Sequence, residues 1–281
     1  MDHVSMTATR PFLHIKPKKG WQVIDFKELK DYRDLFYFLV ARDIRARYKQ
    51  TVLGGLWAII QPFFSMVVFT LFFGKLARIP SDGVPYAIFN FTAMVAWTYF
   101  ANAITGSGNS LIGNTNLISK VYFPRLIIPL TSVLARLIDF SIAFVILLFL
   151  MFYFHVYPTF MVLLLPFLVF LMILIASGVG TFLAALNAKY RDIQYVIPLL
   201  VQLWMFVSPV VYPTSMVPEK YRFIYSLNPL TGVIEGFRSI LLGTVPFPTQ
   251  MVLYSGLLGL ILFIIGILYF KQTERSFADI I

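Results

Sequence analysis

Apolar residues run in long blocks along this chain, separated by short polar punctuation. Six blocks match the length of about 20 residues that a helix needs to cross a hydrocarbon layer of roughly 30 Å. They are Leu56 to Leu76, Val84 to Ala103, Leu126 to Phe154, Phe160 to Leu186, Ile193 to Val211 and Met251 to Phe270. The pattern predicts an all-α polytopic membrane protein with six transmembrane helices, whose even number puts both chain ends on one side.

Three stretches depart from that rhythm. Before the first span, residues 35–49 read LFYFLVARDIRARYK, with Tyr37, Val40, Ile44 and Tyr48 on one helical stripe and Arg42, Arg45 and Lys49 on another face. This predicts an N-terminal amphipathic interface helix lying at the membrane surface. The preceding residues 1–34 have no apolar core of signal-peptide type and read as a retained polar tail on the cytoplasmic side.

The second departure, residues 109–125, reads NSLIGNTNLISKVYFPR. Wound at about 100° per residue, it stacks Asn109, Gly113, Asn116 and Lys120 into one polar stripe, while Leu111, Leu117, Ile118, Val121 and Tyr122 cover the rest. That surface is too apolar for a free loop and too polar to span. The pre-proline position Phe123 disfavours helix, so Pro124 should end the element and turn the chain into the third span.

The third departure, residues 213–243, is too long for a tight turn and too apolar for a solvated loop. Its Pro-delimited pieces, Thr231 to Leu242 above all, predict short re-entrant helices between spans five and six, with a packed extracellular cap as the alternative.

Of the 281 residues, 59% are apolar and 13% charged, against about a quarter charged in soluble domains. The formal charge of +10 brings nucleic acid to mind. With both termini cytoplasmic, however, 17 of the 23 Lys and Arg fall on the inner side, so the positive-inside rule accounts for the excess and no nucleic-acid partner is expected.

The chemistry is sparse. The chain has no cysteine, and His3, His14 and His155 are too scattered for a metal site. It has no GxxxxGK[ST] phosphate loop, no paired-carboxylate DDxxD motif and no Ser/His/Asp or HExxH arrangement, so an enzyme is not expected and energy must come from a partner. Arg136 and Asp139, three apart in the third span, read as an ion pair that neutralises itself, a poor proton relay.

Aromatics are abundant: 29 Phe, 15 Tyr and 4 Trp. Trp57, Phe63, Tyr99 and Phe100 lie nearest polar or helix-breaking neighbours and are the candidates for a glycan track, because ring faces hold sugar C–H faces without fixed hydrogen bonds. An apolar cytoplasmic helix needs the membrane surface or another protein to bury it, and on a chain without a nucleotide site a docked ATPase is the economical answer. Asn114, Lys120 and Arg125 would make the rim contacts, Leu117, Ile118 and Phe123 would fill a cleft, and Lys189, Tyr190, Arg191 and Asp192 would give a second contact.

Four segments carry a resemblance. RDIRARYKQTVLGGLWAIIQP, LISKVYFPRLIIPL, NAKYRDIQ and LNPLTGVIEGFRSILL, in that order and at matching topological places, resemble the permease subunit of bacterial ABC exporters for O-antigen and related cell-surface polysaccharides. The resemblance covers residues 35–281. It implies a homodimer in the inner membrane, bound to two ATPase subunits that use ATP and Mg, with no cofactor bound by this chain. A lipid-linked polysaccharide would pass through a pore at the dimer interface.

Carried over, residues 35–49 match the family's interface helix and residues 110–125 its coupling helix. Residues 189–194 match the second cytoplasmic contact, and residues 213–243, with Asn228, Pro229, Glu235 and Arg238, the outer gate helices. Capsule and teichoic-acid exporters share this architecture. A secondary flippase working through Asp139 and a membrane glycosyltransferase are the other classes.

Overall fold

Backbone groups that leave water for lipid must be satisfied within the chain, and helices do this segment by segment. In the computed structural model, which describes residues 30–49 and 56–274, every regular element among the described residues is helical.

The elements, in chain order, are α1 (Arg33–Tyr48), α2 (Trp57–Phe69), α3 (Tyr86–Gly113), α4 (Thr115–Lys120), α5 (Ile127–Ala135), α6 (Leu137–Tyr153), α7 (Leu165–Lys189), α8 (Ile193–Val207), α9 (Glu219–Ser226), α10 (Thr231–Leu242) and α11 (Thr249–Glu274). Among the described residues, five segments are long and apolar enough to cross a membrane: Ile59–Leu76, Tyr86–Gly113, Ile127–Tyr153, Phe160–Lys189 and Thr249–Glu274. The expected fifth span is the apolar α8, whose 15 residues extend only about 22 Å at 1.5 Å each.

The remaining spans carry local irregularities with visible causes. Pro62 sits inside α2, and the helix widens into a π-helical segment over Thr70–Leu76. Gly74 in that segment lets Tyr86 approach, for a Cβ there would lie 2.9 Å from the ring. The third span tightens at Arg136, between α5 and α6.

α3 is the central helix, with 78% of its apolar window buried, whereas α2 has 11%. Around α3 pack α5, α6, α7 and α10, and α7 makes its most extensive contact with α11. One apolar core holds Phe89, Phe91, Phe100, Ile175, Phe237 and their neighbours. A second, smaller one joins Leu111, Ile118, Phe123, Ala184, Ile267 and Phe270, with Tyr32 and Leu35 of the N-terminal segment packed against it.

The expected segment is helical as α1, with a different packing face from the expected one. Leu39 is buried and Leu35 partly so, while Tyr37, placed by periodicity on the apolar stripe, is exposed. The helix packs along α5. The basic trio also divides: Arg45 and Lys49 face outward, and Arg42 turns in.

Candidate functional site

The polar interlude at residues 109–125 is not one helix. Residues 109–113 are the last turn of α3, which runs ten residues past the predicted end of the second span. The chain breaks at Asn114 (φ −118°, ψ 22°), and α4 follows as a separate piece. α4 ends at Lys120, and Val121 is already extended (φ −131°, ψ 134°), three residues before Pro124.

Asn114 makes that break into a joint. Its amide nitrogen donates to the Ser110 carbonyl at 2.8 Å, and its Oδ1 accepts from Arg42 at 2.7 Å, which ties α1 to the start of α4. At the other end, the Arg125 backbone N–H donates to the Glu274 carboxylate at 3.2 Å and its guanidinium to the Glu274 carbonyl at 3.1 Å. Lys271 pairs with the same carboxylate at 3.0 Å. The segment from Asn114 to Arg125, which contains the six-residue α4, is therefore held between α1 and the end of α11.

Ile118 and Phe123 are buried in the chain's own smaller core, and Leu117, partly buried, packs against it. α4 presents Asn116, Ser119 and Lys120 outward, and the residues that follow it, Val121 and Tyr122, are exposed as well. In the turn between α7 and α8, Lys189, Tyr190, Arg191 and Asp192 are all exposed, with the Lys189 ammonium 5.0 Å from the Tyr190 ring centre.

The two turns are brought side by side by a residue that sequence reading did not single out. Asn187, near the end of α7, donates to the Gly108 carbonyl at 2.9 Å and to Asn109 Oδ1 at 3.0 Å, joining α7 to α3. Its signal was an asparagine embedded in an alanine-rich apolar run, LAALNAK. Asn187→Ala should lower stability by about 1–3 kcal/mol, because buried acceptors lose their donor. Thermal melting of the purified protein measures this.

At the opposite end, all twelve residues of α10 are buried. Arg238 lies over the Phe89 ring at 3.6 Å, pairs with Glu235 at 2.8 Å and donates to the Val210 carbonyl at 2.9 Å. Gly243, in the left-handed region (φ 66°), closes the helix by donating to the Ser239 carbonyl at 3.2 Å. Asn228 accepts from Trp204 Nε1 at 3.0 Å and donates to Ser208 at 2.9 Å, fixing the end of α8, and Pro229 is buried beside it. Of the expected segment 213–243, α10 is thus packed into the body of the chain, while α9 stays largely exposed.

The Arg136–Asp139 pair is not self-contained. The carboxylate receives Arg47 and the Tyr48 hydroxyl from the tip of α1, while Arg136 stands 3.7 Å away. Burial, and then the bond to Asp139, push the Tyr48 phenol up to about 12, so it stays a donor at neutral pH. The four track aromatics divide as well. Trp57 and Tyr99 line a cleft beside this cluster, Phe63 lies on the exposed face of α2, and Phe100 packs edge-on to Trp204 at 5.1 Å inside the core.

Residues 34–242 match the model of a family described as ABC-2 type transporter. The chain belongs to the ABC-2 type transporter family. Among curated relatives of this ABC-2 chain, the O-antigen export system permease protein RfbA of Klebsiella pneumoniae is 28% identical over 250 residues, 88% of this chain and 95% of the relative. The O-antigen export system permease protein RfbA of Myxococcus xanthus is 30% identical, covering 76% of this chain and 82% of its own length. The polysialic acid transport protein KpsM of Escherichia coli is 24% identical, with coverage of 85% and 93%. The ABC-2 match begins inside α1 and ends with α10, so it takes in α4, the turn between α7 and α8, and the buried α10.

Proposed function

We propose that this ABC-2 chain is the permease half of an ATP-driven exporter that moves a lipid-linked O-antigen, or a related polysaccharide, outward across the bacterial inner membrane. It works as a homodimer with two ATPase subunits and a pore between the permease copies. The carrying observation is the outward set Asn116, Lys120, Val121 and Tyr122, on α4 and the residues just after it, in a segment tied to α1 at Asn114 and to α11 at Arg125, in a sequence without a phosphate loop. A braced helix passes on a rigid-body displacement, and the neighbouring exposed turn at residues 189–192 gives the partner a second hold. ATP and Mg are bound by that partner.

The low burial of α2 and the exposed row Leu199, Leu203 and Phe206 on α8 leave apolar surface for a second copy. Both termini are cytoplasmic, with α8 as the short sixth crossing. The relatives' names favour O-antigen, and KpsM keeps a capsule-type polymer as the alternative cargo.

The test is a paired substitution, Lys120→Glu with Tyr122→Ala. It should cut both ATPase co-purification and surface polysaccharide at least tenfold while the chain remains in the membrane at normal yield. Full export with this double variant would remove α4 from the ATPase contact. Export that persists without any ATPase and follows the proton gradient would favour the secondary flippase.

A further inference from the structure

Beside the tip of α1, a cleft of about 260 Å³ opens between α2, α3 and α6, with Arg47, Tyr48, Arg136 and Asp139 at one end and the rings of Trp57 and Tyr99 in its wall. We infer that this cleft is a binding site for the phosphate group of a membrane lipid, with Asp139 as the counter-ion that occupies the two guanidiniums when the lipid is absent.

Counting partners leads there. Two guanidiniums and one carboxylate leave the cleft with one net positive charge. Both carboxylate oxygens are already engaged, Oδ1 by Tyr48 and Oδ2 by Arg47. Arg136 is left at 3.7 Å from Oδ2, beyond hydrogen-bonding distance, and its buried Nε has no partner. A guanidinium has five N–H donors in a planar fork, so Arg136 lacks acceptors where three phosphate oxygens would supply them. Gln61 and Asn102 add neutral amides to the same wall.

Size and lining narrow the ligand. The volume falls below the 300–1,000 Å³ of sites that enclose a drug-sized molecule, so it suits a headgroup and the first atoms attached to it, not a sugar chain. Aromatic and apolar wall residues next to the charges fit a ligand that is ionic at one end and hydrocarbon at the other. The phosphate could belong to the carrier of the exported glycan or to an ordinary anionic phospholipid. The site itself stands on geometry, and only the assignment to the carrier rests on the export reading.

The experiment uses the purified full chain, without ATPase, in phosphatidylcholine nanodiscs, with binding of a radiolabelled polyprenyl diphosphate as the readout. Arg136→Gln and Arg47→Gln should each weaken binding about tenfold or more. Asp139→Asn should leave affinity unchanged or raise it, because the competing carboxylate is gone. Arg136→Lys, which keeps the charge, controls for folding and should retain most of the binding. Inorganic pyrophosphate should compete.

Competition by phosphatidylglycerol as strong as by unlabelled carrier would support the site and assign it to bulk lipid; weak competition would assign it to the carrier. Unchanged binding in both Arg variants, or an Asp139→Asn loss as large as theirs, would overturn the inference and leave a structural ion cluster. Either result is independent of ATPase docking, so failure here does not touch the export reading.

Discussion

Arg238→Met is expected to remove most folded protein from the membrane, with a loss of about 3–5 kcal/mol. Glu235 and Arg238 are both fully enclosed, and their charges meet at 2.8 Å. Deleting the cation strands a carboxylate in an apolar core and takes from the Val210 carbonyl the shorter of its two donors, leaving it to Asn90 alone. It also removes the cation over Phe89, which joins α3 to α10. Replacing both partners, Glu235→Gln with Arg238→Met, should recover part of the loss because no unpaired charge remains. Yield and melting temperature in detergent read both variants. Equal melting of the single and double variants would show that the pair is not what the fold depends on.

The second large effect is steric and lies where α7 crosses α11. A Cβ on Gly178 would fall 2.6 Å from the Phe263 amide nitrogen and 2.7 Å from the Leu262 carbonyl carbon, both backbone atoms that no rotamer change can move. Across the same crossing, a Cβ on Gly266 would collide with the Gly178 carbonyl oxygen. Without a water-driven hydrophobic effect, helices in lipid associate through such close backbone approach. Gly178→Ala should cost about 3 kcal/mol, at the upper end of overpacking, and Gly178→Leu should yield no folded protein. Gly113→Ala is the control, since no atom lies within 4 Å of its Cβ position. It should be neutral or mildly stabilising, because alanine is the better helix former. A Gly178→Ala protein that melts with the parent would contradict the crossing.

How much of this was legible in the sequence depends on whether a residue's role is local. The apolar blocks located five long helices because hydropathy and period are local properties. The end of α3 was misplaced because Asn102, Thr105, Ser107, Asn109 and Ser110 read as an exit from the membrane, yet they belong to the helix. Ser107 and Ser110 are buried, and Asn109 meets Asn187. Polar residues that serve helix contacts look in sequence like residues that leave the lipid.

The polar interlude at residues 109–125 was wound as one helix and proved to be two pieces. Its winding about one axis assumed a single helix, whereas the break at Asn114 resets the phase, so Ile118 and Phe123 turn inward and Tyr122 outward. Asp139 had an obvious partner three residues away, and its principal partners came from α1, 92 and 91 residues earlier. α10 could be read as short and apolar. Its complete burial required Glu235 and Arg238 to cancel each other, which spacing permits but does not demand.

The brace around α4 also bears on how the protein is made. Arg42 is synthesised early and Glu274 far later, and they hold the two flanks of the segment that carries α4, at Asn114 and at Arg125. During translation α1 and α4 can meet as soon as α3 is inserted, but the Arg125 latch must wait for α11. Until α11 is in place this face is half-built, and a chain stalled before it carries the α4 segment unsecured on one side. The same contact that steadies the segment in the folded protein therefore marks the moment at which α11 has docked.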